Sequence, residues 1–217
     1  MDVSEAVAAR RSVRAFTDEP VDDTTLRSLL ERAARAPSGG NVQPWRIYVV
    51  NGDAMARFRG AMSGVEMGEG EYEIYPPSLW EPYRSNRFRN GEQMYATLGL
   101  DRDDKPGRLA QFAKNLDFFG APAALFCFID RRMGPPQWSD LGMFLQTFML
   151  LAQEAGIDTC AQEFWSTVHA TVREFVGAPD EELLFCGMAI GHADHDAPVN
   201  GHVSDRMPLE EWATFVV

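Results

Sequence analysis

Residues 121–130, Ala-Pro-Ala-Ala-Leu-Phe-Cys-Phe-Ile-Asp, carry no polar side chain on either face until the last position. A strand of that kind must be central in its sheet and covered on both sides. Leu183 to Gly191, Leu-Leu-Phe-Cys-Gly-Met-Ala-Ile-Gly, makes the same demand. Covering layers are available. Asp140 to Ala155 carries Leu141, Met143, Phe144, Leu145, Phe148, Met149, Leu150 and Leu151. That predicts a helix apolar almost all round, buried in a large core or a subunit interface, with Ser139 as its cap and Gly156 as its end. Asp22 to Ala36 predicts a one-sided helix, capped by Asp22 or Asp23, with its stripe at Leu26, Leu29, Leu30 and Ala33. Mixed helices and strands without a repeat or linker give an α+β or α/β class in one domain.

Shorter elements complete the outline. Residues 2–11 predict a helix capped by Ser4, and Trp45 to Asn51 a strand. Ala54 to Met62 and Val168 to Phe175 read as helices, and Ile157 to Phe164 as a short strand or extended loop. Residues 63–110 read as a long irregular stretch holding Tyr72, Tyr75, Trp80, Tyr83, Phe88 and Tyr95. So many aromatics argue for a functional segment rather than disorder. His192 to Arg206 reads as polar loop, and Pro208 to Phe215 as a short terminal element.

The 217 residues suffice for one sizeable core. Twenty basic against 32 acidic side chains leave a formal charge of −12. Such a chain repels phosphate backbones and anionic membrane surfaces, which excludes nucleic acid and membrane as partners. Cys127, Cys160 and Cys186 are scattered among apolar residues, away from metal-ligand spacing. They read as buried free thiols of a cytoplasmic protein. The first residues lack an apolar signal region, and no apolar run reaches membrane-spanning length.

Two segments can carry chemistry. Arg10-Arg11-Ser12-Val13-Arg14 packs three guanidiniums into five residues. They repel one another unless an anion binds there, and Arg suits bidentate contact with phosphate. An exposed helix end, its cations facing the C-terminal dipole, is the alternative. Ala36-Pro37-Ser38-Gly39-Gly40-Asn41-Val42-Gln43-Pro44-Trp45 combines two glycines with uncharged polar groups. It suits close backbone approach to a polar ligand, or a plain helix-to-strand turn.

In this order, the two segments flanking a Leu-rich helix resemble the FMN-dependent nitroreductase family. Phe118-Phe119-Gly120-Ala121-Pro122, Asp140-Leu141-Gly142, Gly156-Ile157-Asp158-Thr159-Cys160, Gly187-Met188-Ala189-Ile190-Gly191-His192 and Arg206-Met207-Pro208-Leu209 follow in the family's sequence. The resemblance covers nearly the whole chain. Tyr83-Arg84, Gln137 to Gly142 and Leu184 to Met188 look most like nitrobenzoate-type members.

The resemblance implies a nitroreductase-like sandwich: a central, mostly antiparallel sheet flanked by helices, in an intertwined homodimer with FMN at its interface. Arg10, Arg11, Ser12 and Arg206 would hold the phosphate. Arg14 would face the pyrimidine edge, where a cation favours the anionic reduced flavin. Pro37, Ser38, Gly39 and Asn41 would come from the partner chain. Gln162, Glu163 and Phe164 would lie beside the isoalloxazine, and Gly191 and His192 near the phosphate or ribityl end. NADH or NADPH would deliver hydride, and a nitroaromatic compound such as nitrobenzoate, or a quinone, would take the electrons in a ping-pong cycle. No catalytic side chain is required of the protein.

Residues 63–110 would form the lid, with Tyr83, Arg84, Arg87 and Phe88 as substrate contacts. The arginines either meet a substrate carboxylate or offset Glu66, Glu69, Glu71 and Glu73. Two departures stand out. Lys114 and Asp117 flank the place where relatives carry a second basic residue, and Phe164 stands where some carry glycine. Other roles remain open within the family: flavin destruction, dehalogenation or flavin binding alone. Outside it, the loop His192-Ala193-Asp194-His195-Asp196 with His202 offers a metal-dependent hydrolase.

Overall fold

A computed structural model describes residues 1–216. Four strands, β1 (Arg46–Asn51), β2 (Ala123–Asp130), β3 (Asp158–Gln162) and β4 (Glu182–Gly191), form one sheet in the order β1-β2-β4-β3. Every pairing is antiparallel. The helices are α1 (Val3–Ala9), α2 (Asp23–Ala33), α3 (Asp53–Met62), α4 (Tyr83–Thr97), α5 (Lys105–Ala113), α6 (Pro135–Glu154) and α7 (His169–Val176). This is the α+β sandwich that the sequence led us to expect.

The apolar strands occupy the middle, as their composition requires. Residues 123–129 of β2 are fully buried. Side chains alternate along a strand, so Leu125, Cys127 and Ile129 pack with α2 and α6, while Ala124, Phe126 and Phe128 meet Phe58, Phe118 and Trp165. All three cysteines are buried free thiols, two of them in the sheet's centre.

Element ends differ from the sequence reading for local reasons. Asp2, not Ser4, caps α1: its carboxylate accepts from Glu5 N–H at 2.8 Å, and Glu5 accepts from Asp2 N–H at 2.7 Å. That reciprocal box satisfies two otherwise orphaned donors. Asp22 caps α2 through Thr25 N–H at 2.8 Å. The helix closes at Ala33, because Arg35 and Ala36 N–H turn back to Arg32 and Ala33 carbonyls ahead of Pro37. α6 starts five residues before the expected Asp140, with two prolines in its first turn, where a missing N–H costs nothing. Ser139 is therefore inside the helix and donates to Pro136 O at 2.6 Å.

The largest difference lies in residues 63–110. α4 and the first residues of α5 occupy much of what reads as irregular. α4 has no buried residue, so it leaves no apolar stripe in the sequence. It is held instead by polar contacts to the C-terminal loop: Arg89 pairs with Asp205 at 3.0 Å, and Asn90 meets His202 Nε2 at 3.0 Å.

Ahead of α4, the Glu71 side chain is 4% exposed and sits between Arg131 and Arg173. It also accepts from Leu184 N–H at 2.8 Å. Burial pushes its pKa up, but Arg131, the Leu184 N–H and Arg173 together hold it below the usual carboxylate range. Its stabilisation is therefore complete above the unfolded pKa of about 4.3 and is lost as pH falls through the lower folded value. Thermal melts from pH 7 to pH 3 should show a Glu71→Gln variant less stable at neutrality and flatter on the acid side. Parallel acid limbs for both proteins would remove Glu71 from this account.

Candidate active site

The segment after α1 is stitched to the sheet edge. Val13 N–H donates to Thr159 O at 3.0 Å, and Thr17 N–H to His192 O at 2.9 Å. Val13 is buried, so its neighbours in an extended chain point outward. Arg10, Arg11, Ser12 and Arg14 accordingly line one polar cavity of about 530 Å³, joined from the C-terminal loop by His202, Ser204 and Arg206 and from α6 by Gln146. Arg14 N–H is fixed by Asn200 Oδ1 at 2.8 Å, and Arg206 by the carbonyls of Ser204 and Asp205 at 3.0 and 2.7 Å.

Four guanidiniums thus converge although the chain carries a net charge of −12. Among the described residues none of the four has a carboxylate within ion-pair distance. Burial, and then the charge of Arg206, lowers the pKa of Arg10. His202 is lowered by burial and by Arg14. Unpaired guanidiniums gathered in one partly buried cavity are complementary to an anion.

A second cavity, of about 440 Å³, shares Arg14 with the first. Its lining combines apolar and aromatic groups, Phe112, Phe119, Cys160 and Phe164, with the polar Gln111, Asn115, Gln162 and Glu163. Gln162 Nε2 donates to Asn115 Oδ1 at 3.0 Å, which leaves its buried Oε1 without a partner. Gln111 Nε2 is buried and unpartnered as well. A buried donor and a buried acceptor, both unpartnered, on residues that line an aromatic cavity suit a heteroaromatic ring that carries both N–H and C=O groups. An isoalloxazine has both, and a phosphate tail passing Arg14 would end among the arginines. The residues present therefore fit FMN.

Phe118 and Phe119 both hold left-handed backbone, at φ 48° and 56°. That strain is sustained by packing: Phe118 lies 4.4 Å from Trp165, and Phe119 O accepts from Phe16 N–H at 3.2 Å. It delivers Phe119 into the cavity wall. Glu163 opens partly to solvent on that wall, and burial of the rest pushes its pKa up. Phe164 packs edge-on against Phe112 at 5.3 Å and narrows the slot.

Other expected residues lie elsewhere. Pro37, Ser38, Gly39 and Asn41 line neither cavity of their own chain. Gly39 N–H donates to buried Asp140 at 3.2 Å, which ties the loop to the inner face of α6, whereas Gln146 reaches the arginine cavity from the outer face. Six residues apart on a helix are roughly 120° apart around it. Gly191 faces no cavity: a Cβ there would meet Pro122 at 2.7 Å and Phe16 at 3.1 Å, so its smallness serves packing. His192 Nδ1 lies 3.1 Å from Gly156 O, and His202 is engaged with Asn90. The imidazoles offered for a metal face different partners, and among the described residues no group of three metal-ligating side chains forms.

Of the residues expected to contact substrate, Arg87 lines the aromatic cavity and lies over the Tyr75 ring at 4.2 Å. Arg84 is paired with Glu81, and Tyr83 packs on Trp80. Phe88 lines a neighbouring hollow, which it shares with Arg84 and Arg87. Lys114 and Asp117 line neither cavity; Asp117 pairs with Arg59. Gln111 and Asn115 stand at this place instead. The one clue to them was a lone glutamine in the apolar run Leu109-Ala110-Gln111-Phe112-Ala113.

A model of the nitroreductase family matches residues 7–192. The chain belongs to this family. A nitrobenzene nitroreductase of Ectopseudomonas oleovorans is 37% identical over 99% of this chain and 96% of its own length. A 4-nitrobenzoate reductase of Nocardioides sp. (strain LMS-CY) is 35% identical over 97% and 88%. The crystal structure of the FMN and NADPH-dependent nitroreductase NfnB from Sphigopyxis sp. strain HMH covers 100% of both chains, at 50% identity and a TM-score of 0.96. Such agreement extends the shared fold to residues 63–110 and the C-terminal loop.

Proposed function

We propose that this chain is a cytoplasmic, FMN-dependent oxidoreductase that passes electrons from NADPH or NADH to nitroaromatic compounds and works as a homodimer. The observation that carries the reading is the sharing of Arg14 between an anion-binding cavity and an aromatic slot. The relatives support it, since they act on nitrobenzene and 4-nitrobenzoate by name. Bound there, FMN would supply the two-electron chemistry that joins nicotinamide oxidation to nitro-group reduction.

The chain's own groups do the rest. Arg10, Arg11, Ser12 and Arg206 hold the phosphate. Arg14 keeps a fixed positive charge at the junction, where it favours negative charge on the reduced ring. Gln111 and Gln162 fix the ring edge through a donor and an acceptor. Phe112, Phe119 and Phe164 keep water from its face. Residues 63–110 serve as the cover, and nicotinamide and oxidant take turns beneath it.

A homodimer would account for residues 37–41, which line neither cavity of their own chain. Gly39 is tied to Asp140 of α6, and the partner's copy of the loop would complete the site. The outer face of α6 leaves Met143 exposed beside Gly142, and Leu209, Trp212 and Phe215 are exposed near the C-terminus. Apolar surface of this kind marks an interface.

Anaerobic mixing with NADH or NADPH tests the central claim. Flavin absorbance should bleach and recover on adding nitrobenzene; a flavin that stays oxidised would end the nitroreductase reading. Arg87 supports a finer assignment, because among the described residues it has no carboxylate partner. Arg87→Ala should raise KM about 10-fold for 4-nitrobenzoate, the loss of one charge-assisted contact, and leave nitrobenzene unchanged. Arg84→Ala should change neither. Equal effects on both substrates would take the carboxylate role from Arg87.

A further inference from the structure

A carboxylate buried between two guanidiniums fixes the groups around it, because shifting any one of them strands a buried charge. The Glu71 cluster is that case. Of the four acids Glu66, Glu69, Glu71 and Glu73, Glu71 is the one drawn inward, between Arg131 of the turn after β2 and Arg173 of α7. His169 Nδ1 stands 3.5 Å away. Neighbouring contacts clamp the same arm. Gly68 N–H donates to Thr167 O at 2.8 Å, and the Tyr72 hydroxyl donates to Phe185 O. Gly70 runs so close to Ser166 that a Cβ would lie 3.1 Å from its hydroxyl.

The clamped arm leads straight to the active-site wall. Ile74 and Tyr75 line the aromatic cavity. They follow Glu71 by three and four residues, at most roughly 14 Å of extended chain. Tyr75 carries the guanidinium of Arg87 at 4.2 Å from its ring centre. One continuous path therefore runs from the sheet through Glu71 and Tyr75 to the cation at the cavity mouth.

We propose that Glu71 is a positioning residue for the oxidant: its clamp on Arg131 and Arg173 fixes Tyr75, and through Tyr75 the charge of Arg87. This rests on the reading of the aromatic cavity as the nitroaromatic site. Glu71 touches neither cavity, so its effect is transmitted by the arm.

The test uses the FMN-loaded full chain with Glu71→Gln and Arg131→Ala. The second variant removes a partly exposed partner, and it carries the test if the first fails to fold. Hydrogen exchange of residues 66–75 should rise in both. KM for 4-nitrobenzoate should rise about 5-fold with kcat within about twofold, the signature of lost binding geometry. FMN affinity and bleaching by NADPH should persist. The KM effects of Glu71→Gln and Tyr75→Ala should not add, since the two would act on one path.

Unchanged exchange would show that no clamp exists. Raised exchange with unchanged KM, or fully additive effects, would leave Glu71 a purely structural group. Failure of the unaltered protein to bleach would strike the nitroreductase reading instead, independently of the exchange result.

Discussion

Replacing Arg206 by Ala is expected to weaken FMN binding about 10- to 100-fold, because a hydrogen bond to a charged group contributes roughly 1.5–3 kcal/mol. Arg206 suits this test better than its neighbours. It is the one guanidinium of the cluster supplied by the C-terminal loop, and two backbone carbonyls orient it. Its side chain is exposed in the single chain, so the fold does not depend on it. Arg10 loses a like-charged neighbour in the variant, so the apo-protein should not be destabilised. Titration of apo-protein with FMN, followed by flavin fluorescence, gives the affinity, and gel filtration should show an unchanged oligomeric state. The residual affinity should fall further with salt, since the remaining contacts are ionic. Unchanged FMN binding would mean that the phosphate lies elsewhere.

The largest stability effect is expected from Gly187→Ala. An added Cβ would lie 2.4 Å from Cδ1 and 2.7 Å from Nε1 of Trp165. Gly187 is in β4, paired on both sides by Phe126 of β2 and Gln162 of β3, so its backbone cannot retreat. Trp165 cannot retreat either: it is fully buried against Phe58, Phe118 and Phe126. Overpacking of this kind costs about 2–3 kcal/mol. For a domain of this size that lowers Tm by roughly 5–10 °C. The disturbance should also reach the slot, because Glu163 and Phe164 directly precede Trp165. A melt and an FMN titration on one preparation would show both effects. A Tm equal to the parent's would mean that the ring has room to move.

How much of this was legible depended on the range of the signal. β2, β4 and α6 were visible because their apolar runs dictate burial within a few residues of chain. α4 was not, since its stability comes from Asp205 and His202, which lie more than a hundred residues away. The caps of α1 and α6 were misplaced because serine is a good cap in general, while reciprocal bonding at Asp2 and paired prolines at 135 and 136 decided the actual ends.

The site divides the same way. Arg10 to Arg14 stood out by composition, and family resemblance joined Arg206 to them, but neither indicated Gln111 or Asn115. A glutamine becomes informative only when its amide is seen buried and unpartnered. Arg84 and Arg87 looked equivalent, three residues apart in one polar stretch. Glu81 neutralises the first, and Tyr75 turns the second toward the cavity.

The sequence by itself determined the layered fold and the central strands, and it set three arginines within five residues as either an anion site or a helix end. These follow from hydrophobic burial and like-charge repulsion, both readable from neighbouring residues. Tertiary structure alone decided which charges stay free. Charges are silenced or left available by partners brought from distant parts of the chain: Glu71 was taken inward by Arg131 and Arg173, Arg89 was paired with Asp205, and Arg14 was left between two cavities.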